Sequence, residues 1–224
     1  MTASVGAIAF LFLFYSYPLF AVRKIAIDGS DRSLPLKGLT TLYRANLLLL
    51  STEEKADDLL RENPRLKTVV VTKEYPATLH LTYTFLTPVV FFTVDDGFYI
   101  LSEEGKILER LHKKSDLPLP IITYYQKIPF QQYKAGNILS FKDIQDSLAY
   151  LKKIVELSLP IDSIDIKGTN MIVCNLKEKT IIFTTSKDRG KQLFELESIV
   201  RKFKIEGREF TSLDLRFDKP VVTF

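Results

Sequence analysis

Leu66–Lys67–Thr68–Val69–Val70–Val71–Thr72 is rich in β-branched residues, Tyr75–Pro76 turns the chain, and Thr78–Leu79–His80–Leu81–Thr82–Tyr83 alternates polar with apolar. Alternation with a period of two marks a half-buried strand. Two strands joined at a Tyr-Pro turn therefore anchor the reading of the first third of the chain. Val69 and Val71 share one face of the first strand, and Leu79, Leu81 and Tyr83 share one face of the second. Upstream, Ser51 and Glu54 form a capping box, and Ala56, Leu59 and Leu60 carry a helical apolar stripe that Asn63–Pro64 stops. The stretch Leu34–Leu50 reads as a further short helix ending near Arg44–Ala45–Asn46. Phe20, Val22, Ile25 and Ile27 read as a strand closed by Asp28–Gly29. The expected unit is strand–helix–helix–strand–strand over residues 20–86.

Before that unit, Met1–Val22 carries no charge and is mostly apolar. About 20 apolar residues span a bilayer core as a helix. A cleavable signal peptide would need a basic start and small residues before the cut, and Leu19 and Ala21 make a poor pair. The segment 1–19 is expected to be a single membrane anchor. Arg23 and Lys24 follow the run, so charge alone leaves its orientation open.

After Leu86–Pro88 a second unit begins, residues 87–224. Val89–Thr93, Phe98–Ser102 and Lys106–Leu111 read as strands, joined across Asp95–Asp96–Gly97 and Glu103–Glu104–Gly105. Residues 118–129, with Pro118, Pro120 and Pro129, read as a connection. Ser140 is expected to cap an amphipathic helix carrying Phe141, Ile144, Leu148, Leu151 and Val155 on one face. Ile161–Lys167, Met171–Leu176 and Thr180–Thr184 read as strands. Leu193, Leu196, Ile199, Val200 and Phe203 mark a second amphipathic helix. Thr211–Asp218 and Val221–Phe224 close the chain as strands. The expected fold class is α+β, with the second unit a mostly antiparallel sheet and two helices laid against it.

The chemistry on offer is sparse. The 224 residues hold 31 basic and 27 acidic side chains, a net charge of +4, without a basic run interleaved with aromatics. Nucleic acid is not an expected partner. Weak attraction to anionic lipid suits a tethered domain better. Cys174 is the single cysteine, so neither an intrachain disulfide nor a cysteine zinc cage can form, and its apolar neighbours assign it to the core. His80 and His112 lack an acid, Ser or Cys close by in sequence and read as solvated surface. The paired carboxylates Asp95–Asp96 and Glu103–Glu104 precede glycines and read as turn chemistry. Phosphate-loop, dinucleotide, nucleophile-elbow and metalloprotease motifs are absent. The chain reads as a binder or scaffold without cofactor, metal or small-molecule substrate.

At this point particular residues match a known pattern. Phe20–Ala21–Val22–Arg23–Lys24–Ile25–Ala26–Ile27–Asp28–Gly29 resembles the opening strand of a POTRA domain. Asn63–Val71 resembles its helix stop and next strand. Tyr75–Leu81 and Thr87–Val90 resemble its hairpin and exit in the FtsQ/DivIB family of bacterial division proteins. Tyr99–Gly105 resembles a hairpin of that family's β-domain, and Leu213–Val222 its terminal strand. The family usually carries an acidic residue where this chain has Thr84–Phe85–Leu86. Its basic cytoplasmic tail is missing here, which fits a truncated start.

The resemblance implies a single-pass protein of the bacterial plasma membrane, enriched at the division septum, with its body on the extracytoplasmic side. It implies a non-enzymatic divisome scaffold linking early and late septal wall-assembly proteins and holding FtsB- and FtsL-type partners beside its last strands. An edge strand offers unpaired N–H and C=O groups to another chain. Leu213, Leu215 and Phe217 are expected to face the core. Asp214, Arg216 and Asp218 are expected beside the incoming peptide, and Val221 and Val222 continue the edge after Lys219–Pro220. Two other readings stay open: another membrane-tethered POTRA protein acting in polypeptide transport or chaperoning, and an exported enzyme with an unrecognised site.

Overall fold

A computed structural model describes residues 18–29 and 35–224. The expected membrane anchor, residues 1–19, lies outside the described residues but for Pro18 and Leu19. Among the described residues no helix is long and apolar enough to cross a membrane. The chain divides after Leu86 into two compact units.

In the first unit, β1 (Lys24–Gly29) runs parallel to β3 (Thr78–Phe85), and β3 pairs antiparallel with β2 (Leu66–Glu74), giving the order β1-β3-β2. Among the described residues of this unit one α-helix, α1 (Thr52–Glu62), forms; it lies between β1 and β2 in the chain, because a parallel pair needs a crossover. Ser51 caps it, its hydroxyl accepting the Glu54 N–H at 3.3 Å. Asn63 stops it: the side-chain amide donates to Leu59 O at 2.8 Å and Lys37 O at 3.1 Å, and its oxygen accepts Lys37 N–H at 2.8 Å. Leu59, Val71, Leu79 and Leu81 form the core with Val22, Leu42, Leu47 and Leu50.

The expected helix across 34–50 does not form. Among its described residues, 35–50, the one helical element is a 3-10 turn, Leu39–Leu42. Gly38 enters it at φ +86°, where an added Cβ would lie 2.4 Å from Glu62 Oε2. Arg44 also has positive φ, at 67°. The backbone that a helix would use internally is spent on the chain entering β1: Val22 N–H donates to Ala45 O and Leu47 N–H to Phe20 O, at 2.9 and 2.8 Å.

The second unit holds β4 (Val90–Val94), β5 (Gly97–Leu101), β6 (Ile107–Leu111), β7 (Ile121–Tyr124), α2 (Lys142–Glu156), β8 (Ser163–Lys167), β9 (Met171–Leu176), β10 (Lys179–Phe183), α3 (Arg189–Glu206), β11 (Ser212–Asp214) and β12 (Val221–Thr223). They build one sheet in the order β12-β11-β10-β9-β8-β7-β4-β5-β6. Most neighbours are antiparallel; β4–β7, β7–β8 and β10–β11 are parallel. Both helices are crossovers, α2 between β7 and β8 and α3 between β10 and β11. Their apolar stripes join the inward residues of the strands in one core. Tyr150 of α2 stacks on Phe183 of β10 at 3.8 Å between ring centroids. Buried Gln192 of α3 donates to the Tyr150 hydroxyl at 3.0 Å and to Thr184 O at 2.8 Å.

Several expectations need correction. Ile121–Tyr124, read as connection, is a central strand, its short apolar run masked by the flanking prolines. The N-cap of α2 is Phe141, not Ser140, and no side chain caps it. Phe141 and Val155 were expected inward, yet they are 43% and 59% exposed, while Ile154 is fully buried. The apolar stripe is therefore rotated toward Ile144, Leu151 and Ile154. Cys174 is buried, and burial pushes its thiol up.

Candidate partner-binding edge

The sheet of the second unit has two terminal strands, and they are finished differently. Beside β6, residues 136–139 lie as a cover. Lys106 bridges to Ile138, Ile107 N–H donates to Asn137 O at 2.8 Å, and Gly136 N–H donates to Ile107 O at 2.7 Å. Arg110 adds a bond from Nη1 to Tyr133 O at 2.9 Å. The chain thus covers the start of this edge itself, at Lys106–Ile107. At the other end β12 pairs with β11 alone, and among the described residues no strand pairs its outer side. The Thr223 carbonyl accepts Thr211 N–H at 2.8 Å and so points inward. Backbone direction alternates along a strand, which turns the N–H and C=O of Val222 outward.

The expected Thr211–Asp218 strand is shorter than its alternation suggested. β11 ends at Asp214, and 215–220 form the connection to β12. Leu213 and Leu215 are fully buried, as expected of the core-facing set. Phe217 is not buried: it is 53% exposed, because the strand has ended before it. Asp214 and Arg216 do not lie on the outermost strand. β11 is flanked on both sides, by β10 and β12, so Asp214 lies within the sheet. Side chains alternate between the faces of a sheet; the edge itself belongs to the backbone of the outermost strand.

Asp214 and Arg216 instead hold each other. Arg216 Nη2 donates to Asp214 Oδ2 at 2.7 Å, and Nε and the backbone N–H each donate to Oδ1 at 3.0 Å. Partial burial pushes the Asp214 carboxyl up, but the hydrogen bonds from Arg216 outweigh it and hold the group below its ordinary value. Arg216 Nη1 also meets Met171 Sδ at 3.4 Å, and the guanidinium lies 5.6 Å from the centre of the Phe217 ring. A cleft of about 610 Å³ opens here, lined among others by Lys167, Met171, Lys187, Arg216, Phe217 and Asp218. Three of those six are cations and one is an anion.

Val221 is exposed and Val222 packs half-buried against the core. Phe224 follows on the side of Val222: its ring meets Phe203 of α3 edge-on at 5.6 Å, and Arg208 lies 4.1 Å over it. Arg208, Phe224 and Met171 were not singled out from the sequence. They come from the turn between α3 and β11, the chain end and a distant strand, and no local spacing links them.

The other candidate groups are dispersed. Each histidine, read as lacking an acid, meets one across a hairpin: His80 Nε2 lies 2.5 Å from Glu74 Oε2, and His112 Nδ1 lies 3.3 Å from Asp96 Oδ2. Asp95 accepts the Phe130 N–H at 2.6 Å, and Glu104 accepts the Ser102 hydroxyl at 2.9 Å. Glu103 pairs with Lys152. Among the described residues no group of three or more His, Cys, Asp or Glu is placed to hold a metal ion.

No protein-family model matches the chain. Among curated proteins it is similar to the cell division protein DivIB of Clostridium botulinum strain Hall, 26% identical over 129 residues, covering 56% of this chain and 49% of that protein. It is also similar to the cell division protein FtsQ of Myxococcus fulvus, 24% identical over 143 residues, covering 63% of this chain and 49% of that protein. The chain spans about half the length of the curated relatives it matches. A solved structure of the major extracytoplasmic domain of DivIB from Geobacillus stearothermophilus aligns with 54% of this chain and 95% of that one, at 15% identity. Its TM-score of 0.30 is too low to carry a fold argument. The proteins it resembles in sequence are thus cell division proteins of the FtsQ and DivIB types.

Proposed function

We propose that this chain is a non-enzymatic, membrane-anchored scaffold of the bacterial divisome, and that it holds a partner by strand addition at β12. The observation that carries the reading is the difference between the sheet's two ends. Residues 136–138 bond to the chain at Lys106–Ile107, the start of β6, whereas among the described residues nothing pairs the outer side of β12, with its uncharged Val221–Val222–Thr223. Sheet edges left open invite pairing and are commonly blunted with charge, cover or proline. Pro220 precedes β12 and does not interrupt it. Names of the relatives supply the process, cell division.

In this reading the first unit is a POTRA domain and the second an FtsQ-type β-domain. The apolar start tethers both to the plasma membrane at the septum, with the body on the extracytoplasmic side. The partners are single-pass proteins of the FtsB and FtsL types. An incoming strand would pair with the outward groups of Val222, and its flanks would meet the Arg216–Phe217 cleft on one side and Phe224–Arg208 on the other. Specificity then comes from side chains at the flanks and affinity from the ladder.

Binding of FtsB- and FtsL-type extracytoplasmic segments to the full chain tests this, wild type against Val222→Pro. Proline removes the outward N–H and leaves the inward bonds of Val221 and Thr223 in place. Loss of binding in a variant with unchanged melting supports the reading. Unchanged binding refutes strand addition at this edge.

A further inference from the structure

The six residues between β11 and β12 must bring the chain back so that β12 lies against β11. Leu215 N–H still belongs to the sheet, donating to Ile182 O at 2.8 Å. Beyond it, the carbonyls of Leu215 and Phe217 both accept from one atom, Nζ of Lys187, at 3.2 and 2.9 Å. The same ammonium meets Glu195 Oε2 at 2.6 Å. An ammonium has three donors, and here each has an acceptor. The side chains of Lys187 and Glu195 are only 11% and 15% exposed. Lys187 immediately precedes Asp188, whose carboxylate caps α3 by accepting Lys191 N–H at 2.7 Å. Glu195 lies on α3 itself. The connection to β12 is thus tied to the start of α3 through a single side chain.

That tie has little to do with the core. The apolar cluster beneath β11 is complete without Lys187, and the Asp214–Arg216 clamp holds only the side chains at this same end of the connection. What Lys187 adds is the path of residues 215–217, and that path fixes where β12 starts. We propose that Lys187 is the positioning residue of the open edge: it presents the outer backbone of β12 as a strand and need not touch the partner. This inference rests on the strand-addition reading above for its functional consequence, but its structural half can be measured without any partner.

The test uses the full chain and three variants. Lys187→Met keeps the stem and removes the donors, but leaves the Glu195 carboxylate without its cation, which can destabilise the fold by itself. The double variant Lys187→Met/Glu195→Met removes both charges, so that only the two carbonyls lose their donor. Lys187→Arg keeps the cation and its donors. Amide hydrogen exchange is followed at the inward amides of Val221 and Thr223 and, as an internal control, at Ile172 and Ile181 of β9 and β10. Affinity is measured for the extracytoplasmic segment of an FtsB-type protein.

In the double variant, exchange at the inward amides of Val221 and Thr223 is expected to rise about tenfold, the size of losing a charge-assisted hydrogen bond of about 1.4 kcal/mol. Ile172 and Ile181 should keep their protection, and partner affinity should fall by a similar factor. Lys187→Arg should behave as wild type. A double variant with wild-type exchange at Val221 and Thr223 overturns the proposal, as does exchange that rises equally at Ile172 and Ile181. If β12 loosens as expected while even the wild type fails to bind the partner, the positioning role stands and the strand-addition reading falls.

Discussion

Leu148 and Leu196 are 2% and 0% exposed, one on each crossover helix, and both pack into the core of the second unit. Replacing either by Ala should cost about 2–5 kcal/mol in urea unfolding. Val155, 59% exposed on the same helix as Leu148, should tolerate Ala within about 0.5 kcal/mol. Equal losses at Leu148 and Val155 would contradict the rotated stripe. Asp214 carries a second prediction at this scale. Its folded carboxyl titrates below its unfolded value, so the clamp with Arg216 stabilises the fold above the unfolded carboxylate pKa and ceases to do so as pH falls through the folded one. Asp214→Asn should therefore be less stable than wild type at neutral pH, with the gap closing in acid. A gap independent of pH would assign the loss to shape rather than charge.

Among the elements, alternation and capping were good guides where a segment obeyed one local rule. The hairpin at Tyr75–Pro76, the Ser51 cap and the Asn63 stop could all be read directly, because each is set by residues within a few positions. The central strand Ile121–Tyr124 could not. It is four residues long, framed by prolines, and its partners β4 and β8 lie far away in sequence. The 34–50 segment failed for the opposite reason: its apolar residues suit a helix, but its backbone bonds go to residues 20–22. At the terminal edge, alternation ran on from Leu213 to Phe217 after the strand itself had stopped. A proline at Leu215 therefore probes the interior of the sheet, not its edge. It removes the donor to Ile182 O and should cost about 1–3 kcal/mol for the orphaned carbonyl alone, seen as a lowered urea midpoint. Val222→Pro should leave that midpoint within about 0.5 kcal/mol of wild type while abolishing partner binding.

For the whole molecule, composition spoke for a scaffold and the order of elements for its kin, while the site waited for topology. Only the sheet order shows which strand is outermost, and only the bonds from 136–138 show that one edge is covered at its start while the other has no such cover among the described residues. Lys187 illustrates the remainder. In sequence it is one lysine in a loop, and its role exists only because β10, α3 and the 215–217 connection meet. The central claim is that β12 is the edge on which a partner strand docks. Hydrogen exchange of the full chain, with and without an FtsB-type extracytoplasmic segment, tests it most directly. The account predicts new protection at Val222 and its neighbours in β12, and none at Ile107–Leu111 of β6. Protection that appears at β6, or a bound partner that leaves β12 exchanging as before, would contradict it.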